Sequence, residues 1–164
     1  MPIAETIGAL NDLIAAGKIR HGGVSNFTMH MVNQAQAALN TPLAANQIEL
    51  HPLIDQTRMI AHLASEGIAV EAYSPLAQGN VMENATLRDI AATHNASPAQ
   101  ISLAWILTRS MSIALPRTGK TSRLASNLRA AEITLSAEEI ARIDALGTTE
   151  GRLVSPETLA PDWD

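Results

Sequence analysis

Four short apolar runs in this chain each end in residues that can hydrogen-bond, stack or carry charge: Ser25-Asn26, Gln47-Ile48-Glu49, Tyr73-Ser74 and Arg117-Thr118. Serine, asparagine and glutamine side chains donate and accept together, which suits a carboxamide group on a ligand. A tyrosine face can stack on a flat ring, and Tyr73 is the only tyrosine in the chain. Each residue also has a plain structural reading. Ser25-Asn26 could cap the following helix, Gln47 could be a buried amide bonded to a neighbouring strand, and Tyr73 could be core. What favours a site is that all four ends are polar together.

The segment Arg117-Thr118-Gly119-Lys120-Thr121-Ser122-Arg123 places three cations, three hydroxyls and a glycine within seven residues at a helix start. Backbone N–H groups, the positive end of the helix dipole and guanidinium forks together make a phosphate site. The alternative is a solvated basic loop before a helix. Other chemistries find no support. His21, His30, His51, His62 and His94 form no i, i+4 pair with a carboxylate in register, so no metal site is expected. His51-Pro52 reads as a turn or structural pair. Ser25 sits in no G-x-S-x-G motif, and the dinucleotide fingerprint G-x-G-x-x-G is absent.

Length and composition bound the rest. The chain has 164 residues, 46% of them apolar and 16% charged, which is a folding composition with enough material for one core. Aromatics are 2%, so aliphatic side chains must build that core. A net charge of −5 favours neither nucleic acid nor an anionic membrane as partner. With no cysteine there are no disulfides, thiolate ligands or cysteine nucleophiles. No run approaches the ~18 apolar residues of a membrane span. A soluble cytoplasmic protein is the expectation.

The elements that must position these residues follow from periodicity and end signals. Ile3, Ile7, Leu10 and Ile14 predict a helix over 3–16, closed by Gly17. A first strand follows at about 22–26. Thr28 caps a second helix with Met31, Val32, Ala35 and Leu39 on one face, stopped by Asn40-Thr41-Pro42. The second strand is about 44–49, and Asp55 caps a helix through Met59, Ile60 and Leu63 that ends at Gly67. The third strand, about 68–73, is broken by Ser74-Pro75, and a loop through Ala77-Gln78-Gly79-Asn80 leads to a helix at about 84–94. Ser97-Pro98-Ala99-Gln100 is a strong helix start, with a capping serine, proline at the first position and glutamine at the third. That helix runs to about Arg109. The fourth strand is Ser112–Leu115, followed by a helix over 121–131 with Leu124 and Leu128 inward. Ser136-Ala137-Glu138-Glu139 opens a last helix to Leu146 and Gly147, and the tail 148–164 has no helical period. Four strands, each followed by a helix, imply an α/β fold with a parallel sheet and right-handed crossovers. Its ligand site is expected beyond the C-terminal strand ends.

At these residues the chain resembles the aldo-keto reductases. The matching pieces are Gly17-Lys18-Ile19-Arg20 with Gly23-Val24-Ser25-Asn26-Phe27, Asn46-Gln47-Ile48-Glu49-Leu50-His51-Pro52, Gly67 through Leu76, Leu115-Pro116-Arg117-Thr118, and Arg123 with Asn127. The order and spacing are those of the family across essentially all of the chain. The ending from Arg152 to Asp164 looks like the bacterial 2,5-diketo-D-gluconate reductase branch. The resemblance implies the C-terminal half of a (β/α)8 (TIM) barrel that uses NADPH. It implies that Ser25, Asn26 and Gln47 hold the nicotinamide carboxamide, that Tyr73 stacks on the nicotinamide ring, and that Ser74, Leu76 and Gln78 lie along the pyrophosphate. Arg117, Thr118 and Arg123 would meet the adenosine 2′-phosphate, and Asn127 the adenine. Trp163 in the tail would line the substrate site, with a small carbonyl compound, a keto sugar or aldehyde, as substrate.

Two departures concern the adenosine end. The family often has lysine-serine where Arg117-Thr118 stand, and glutamate where Ser126 stands. A larger one concerns catalysis. The family's tyrosine acid, with its lysine, aspartate and histidine, comes from strands in the first half of the barrel. No Asp-x-x-x-Tyr or His-Trp-Pro stretch is present, so no catalytic residue is assigned. A barrel of this type needs roughly 250 residues. A half-barrel would expose two sheet edges and an apolar inner face. The expectation is therefore a missing N-terminal half, a homodimer that closes a pseudo-barrel, or a poorly stable chain. The competing functional reading is a non-catalytic NADP(H)-binding or self-assembling module.

Overall fold

In the computed structural model, which describes residues 2–156, 158 and 160–164, helices and strands alternate as the sequence pattern requires. The strands are β1 (Val24–Ser25), β2 (Ala45–Glu49), β3 (Ala69–Tyr73) and β4 (Ser112–Ala114). They form one sheet in the order β1-β2-β3-β4, with every neighbouring pair parallel. The helices are α1 (Ile3–Ala15), α2 (Met29–Ala38), α3 (Thr57–Ser65), α4 (Ala85–Thr93), α5 (Pro98–Leu107), α6 (Ser122–Leu128) and α7 (Ala137–Asp144).

The helix ends are written locally. Thr28 accepts from Met31 N–H at the start of α2, and Ser97 and Ser136 each form a reciprocal capping box, with Gln100 and Glu139 respectively. Asp55 accepts from Thr57 N–H at 2.9 Å, although the residue in the cap position of α3 is Gln56. At the close of α3, Gly67 takes φ +69°, and Ile68 N–H reaches back to Leu63 C=O at 2.9 Å. Leu63 and Ile68 are both buried, so the chain reverses onto its own core at this left-handed glycine.

The core lies between the sheet and the helices. Ile48, Val70 and Ala72 on the outer sheet face are buried with Ile7, Val32, Leu63, Leu87, Ile90, Ile101, Ile106 and Ile143. In α5, every residue from Ile101 to Trp105 and on to Ile106 is buried, making it the central helix. Asn46 is the polar exception on this face. It is fully buried, and its amide donates to Phe27 C=O and accepts from Phe27 N–H, stapling β2 to the loop after β1.

Two expectations need correction. The inner face is not uniformly apolar. In register across it stand Ser25, Gln47, Glu71 and Ile113, with Glu49 beside Tyr73 in the next row, so β1 to β3 present polar groups and only β4 an apolar one. Leu124 and Leu128 are not covered either: they are 59% and 77% exposed. They line a groove with Leu107, Ile113 and Pro116 along the outer edge of β4, where the sheet ends and no further element of the described residues packs over them. Smaller differences are boundaries. The expected loop at 77–80 is a 3₁₀ turn over Ala77–Met82, and the helix over 121–131 splits into α6 and a 3₁₀ turn at Arg129–Glu132.

Candidate functional site at the strand ends

The C-terminal ends of the four strands converge on one side of the sheet. After β1, Asn26 adopts φ 57°; after β3, Ser74, Ala77 and Gln78 adopt φ 50°, 47° and 54°. A left-handed backbone at a non-glycine residue is costly, and such residues gather where function needs a particular backbone path. Among the described residues, four of the six non-glycine residues with positive φ lie in these two turns.

Side-chain bonds tie the first three strand ends together. Tyr73 Oη donates to Asn26 Oδ1 at 3.0 Å, Ser25 Oγ donates to Gln47 C=O at 3.2 Å, and Gln47 Nε2 donates to Glu71 Oε2 at 2.7 Å. Burial pushes the Tyr73 hydroxyl above its usual pKa, and the Glu49 charge beside it adds to this; the bond to Asn26 and the Arg152 charge oppose it. Tyr73 therefore stays a neutral hydrogen-bond donor through the physiological range.

A trench continues from Tyr73 toward the basic loop. One cavity of about 450 Å³ is lined by Tyr73, Ser74, Leu76, Gln78 and Arg117 among others. A second, of about 540 Å³, is lined by Leu76, Gln78, Arg117, Thr118, Arg123, Ser126 and Asn127 together with the α5 start at Ser97. The two share Leu76, Gln78 and Arg117. Eight of the residues singled out in the sequence thus line one continuous depression. Asn26 is tied to it by the Tyr73 bond, while Ser25 and Gln47 stand on the neighbouring strand ends and line neither cavity. Among the described residues no carboxylate lies within ion-pair distance of Arg117, Lys120 or Arg123. In an acidic chain, that leaves an uncompensated positive cluster at one end of the trench. Thr118 Oγ1 accepts from Lys120 N–H at 3.1 Å and holds the loop turned.

Glu49 and His51, to which the sequence gives no ligand role, stand beside the site. Glu49, fully buried, accepts from Leu153 N–H at 3.0 Å and Val154 N–H at 3.1 Å, and Arg152 lies 3.9 Å from the same carboxylate. His51 Nδ1 accepts from Leu53 N–H, so the ring proton sits on Nε2, 3.3 Å from Glu49 Oε1. Burial alone would raise the Glu49 pKa; the His51 bond and the two tail N–H groups outweigh it and hold the carboxyl below its usual range. Trp163 stacks on the Arg152 guanidinium at 3.6 Å and donates to Ser155 Oγ. It lines a separate cleft with Phe27, Met59 and Asp55. A buried carboxylate next to His-Pro at a strand end was the available signal, but its partners lie more than a hundred residues away. Among the described residues there is no cluster of three or more metal-ligating side chains, and no helix is long and apolar enough to cross a membrane.

The family model described as the aldo/keto reductase family matches residues 1–148. The chain belongs to the aldo/keto reductase family. Among curated relatives, the methylglyoxal reductase DkgB of Yersinia pestis is 39% identical over 163 residues, covering 99% of this chain and 60% of the relative. The glyoxal reductase of Bacillus subtilis is 36% identical over 155 residues, covering 94% and 56%. A crystal structure described as a 2,5-diketo-D-gluconic acid reductase B superimposes with TM-score 0.96 at 37% identity, covering 99% of this chain and 58% of the other. A Gox0644 mutant in complex with NADPH superimposes with TM-score 0.88 at 30% identity. This aldo/keto reductase chain therefore spans about 60% of the length of the curated relatives it matches. Its four parallel strands and their helices are part of a (β/α)8 barrel.

Proposed function

We propose that this chain is the NADPH-binding part of a carbonyl reductase acting on small keto sugars or aldehydes, and that the 164-residue chain by itself does not turn over. The observation that carries the reading is the continuous trench from Tyr73 to Arg123, which ends in cations with no protein counter-charge. A dinucleotide has that polarity, with a flat amide-bearing ring at one end and a phosphorylated ribose at the other. Ser25, Asn26 and Gln47 would hold the carboxamide, Tyr73 the ring face, and Ser74, Leu76 and Gln78 the pyrophosphate. Arg117, Thr118 and Arg123 would take the 2′-phosphate, and Asn127 the adenine. Arginine and threonine supply the charge and hydroxyl that a phosphate needs, so the residues fit the group. When bound, NADPH supplies the hydride for carbonyl reduction. The protein's share in this region is to orient the ring and exclude water from one face.

The hydroxyl of Tyr73 is engaged by Asn26, and none of these strand-end residues matches the family's tyrosine acid. Carbonyl reduction would then need the segments that the longer relatives possess. NADPH titration by fluorescence tests the binding claim, and steady-state NADPH consumption with methylglyoxal tests the second. Saturable binding without turnover is expected. Turnover that survives repurification contradicts the second claim.

A second reading, a self-assembling half-barrel, is favoured by the apolar outer edge of β4, where Ile113, Leu115, Leu124 and Leu128 are all exposed. An unpaired edge beside exposed aliphatic side chains is a surface that associates.

A further inference from the structure

We propose that Glu49 is a positioning residue that latches the C-terminal tail across the end of β2, and through it sets Arg152 and Trp163 beside the strand-end site. The inference rests on the chain's own geometry and stands independently of the nucleotide reading.

The tail leaves α7 and runs beside the segment after β2. Thr148 C=O accepts from Asp55 N–H at 3.0 Å, Thr148 N–H donates to Leu53 C=O at 3.3 Å, and Ile54 pairs with Thr148 in a parallel bridge. At Gly151 the backbone lies so close to Leu53 C=O that a Cβ has no room. The next three residues then meet Glu49. Leu153 and Val154 direct successive N–H groups at its two carboxylate oxygens, and the Arg152 guanidinium stands over one of them. A carboxylate is the group that can accept two diverging N–H bonds and balance a guanidinium at once.

Glu49 is itself fixed from below. It is fully buried, His51 donates to it, and its own C=O accepts from Gln56 Nε2 at 3.1 Å. Past the latch, Trp163 folds back onto Arg152, and Asp164 Oδ2 accepts from Met29 N–H at 2.7 Å. The tail is thus held at three points, and Glu49 is the only one of them that contributes a buried charge. Its register partner is Tyr73, so the latch and the strand-end site share a row of the sheet.

The experiment uses the full chain. Glu49→Gln keeps the size and one acceptor, but it points an amide NH₂ at a backbone N–H and removes the charge facing Arg152. Limited trypsin digestion is read at two bonds, Arg152–Leu153 in the latch and Arg123–Leu124 on exposed α6. Cleavage at Arg152 relative to Arg123 should rise about tenfold as the local opening energy falls, with Trp163 more accessible to acrylamide in a Trp105→Phe background. Global loss of stability would raise both cleavages together. Glu49→Asp, which keeps the charge and both oxygens, should restore part of the protection. Val154→Pro deletes one latch N–H without touching the sheet, and should release the tail in the same way. If Glu49→Gln does not fold, Val154→Pro decides alone. An unchanged Arg152-to-Arg123 ratio in the folded variants, or a rise in both cleavages together, overturns the proposal.

Discussion

Tyr73 Oη reaches across β2 to Asn26 Oδ1, 3.0 Å away, and so joins the end of β3 to the turn after β1. The bond spans 47 residues of sequence and holds Asn26 in its left-handed conformation. Two strand ends that are not neighbours in the sheet become one surface.

Tyr73→Phe removes that bond while keeping the ring. Both groups are partly exposed, so water can replace the lost partner, and the expected cost is about 1 kcal/mol of unfolding free energy. Asn26→Ala should cost more, because alanine loses the bond and also tolerates φ 57° poorly. Urea denaturation of the two variants checks the order; an alanine variant as stable as the phenylalanine one would contradict it.

The start of α7 should be sensitive to acid. Glu139 accepts from Ser136 N–H at 2.8 Å and lies 2.8 Å from His94 Nε2. The Ser136 backbone bond, above all, holds its carboxyl below the usual glutamate range; burial opposes it, and the His94 bond adds to the lowering. A lowered folded pKa stabilises at neutral pH, and the contribution is lost as pH falls through the carboxylate range. The stability difference between the native chain and Glu139→Gln should therefore shrink on acidification from pH 7 to 3. Ser136→Ala should cost about 1 kcal/mol at neutral pH.

The core and the β4 edge should respond in opposite ways. Leu63→Ala empties a fully buried position and should cost about 2–5 kcal/mol. Leu128→Ala, at 77% exposure, should cost almost nothing. If the β4 edge is an association surface, Ile113→Lys lowers the apparent mass in sedimentation without lowering the thermal midpoint. An unchanged mass distribution would leave that edge without a role in assembly.

What the sequence disclosed was local. The two capping boxes, Thr28, the left-handed glycines Gly17 and Gly67 that close α1 and α3, and the alternation that makes a parallel sheet are all written within a few residues, and the structure has them. Among the described residues, seven helices and four strands lie where the periodicity puts them, with ends shifted by a few residues. The strand-end residues do converge, because a parallel sheet brings its C-terminal ends to one side whatever the side chains are. The inward assignment of Leu124 and Leu128 failed for a reason outside their helix: periodicity reports which face is apolar, not whether another element covers it. The Glu49 latch was invisible because its donors are backbone N–H groups 104 and 105 residues away, which leave no trace in side-chain pattern. For Gln47 the sequence leaves open an amide that meets a ligand and one bonded to a neighbouring strand, and the structure has its NH₂ on Glu71 of β3.

The most direct test of the account compares NADPH with NADH on the native chain and on an Arg117→Ala, Arg123→Ala double variant. The account predicts tighter binding of NADPH by the native chain. In the double variant NADPH should lose about tenfold to a hundredfold in affinity, as charge-assisted bonds to phosphate disappear, and NADH affinity should stay close to its native value. Equal affinities for the two nucleotides, or a double variant that still prefers NADPH, would contradict the placement of the 2′-phosphate at the end of the trench.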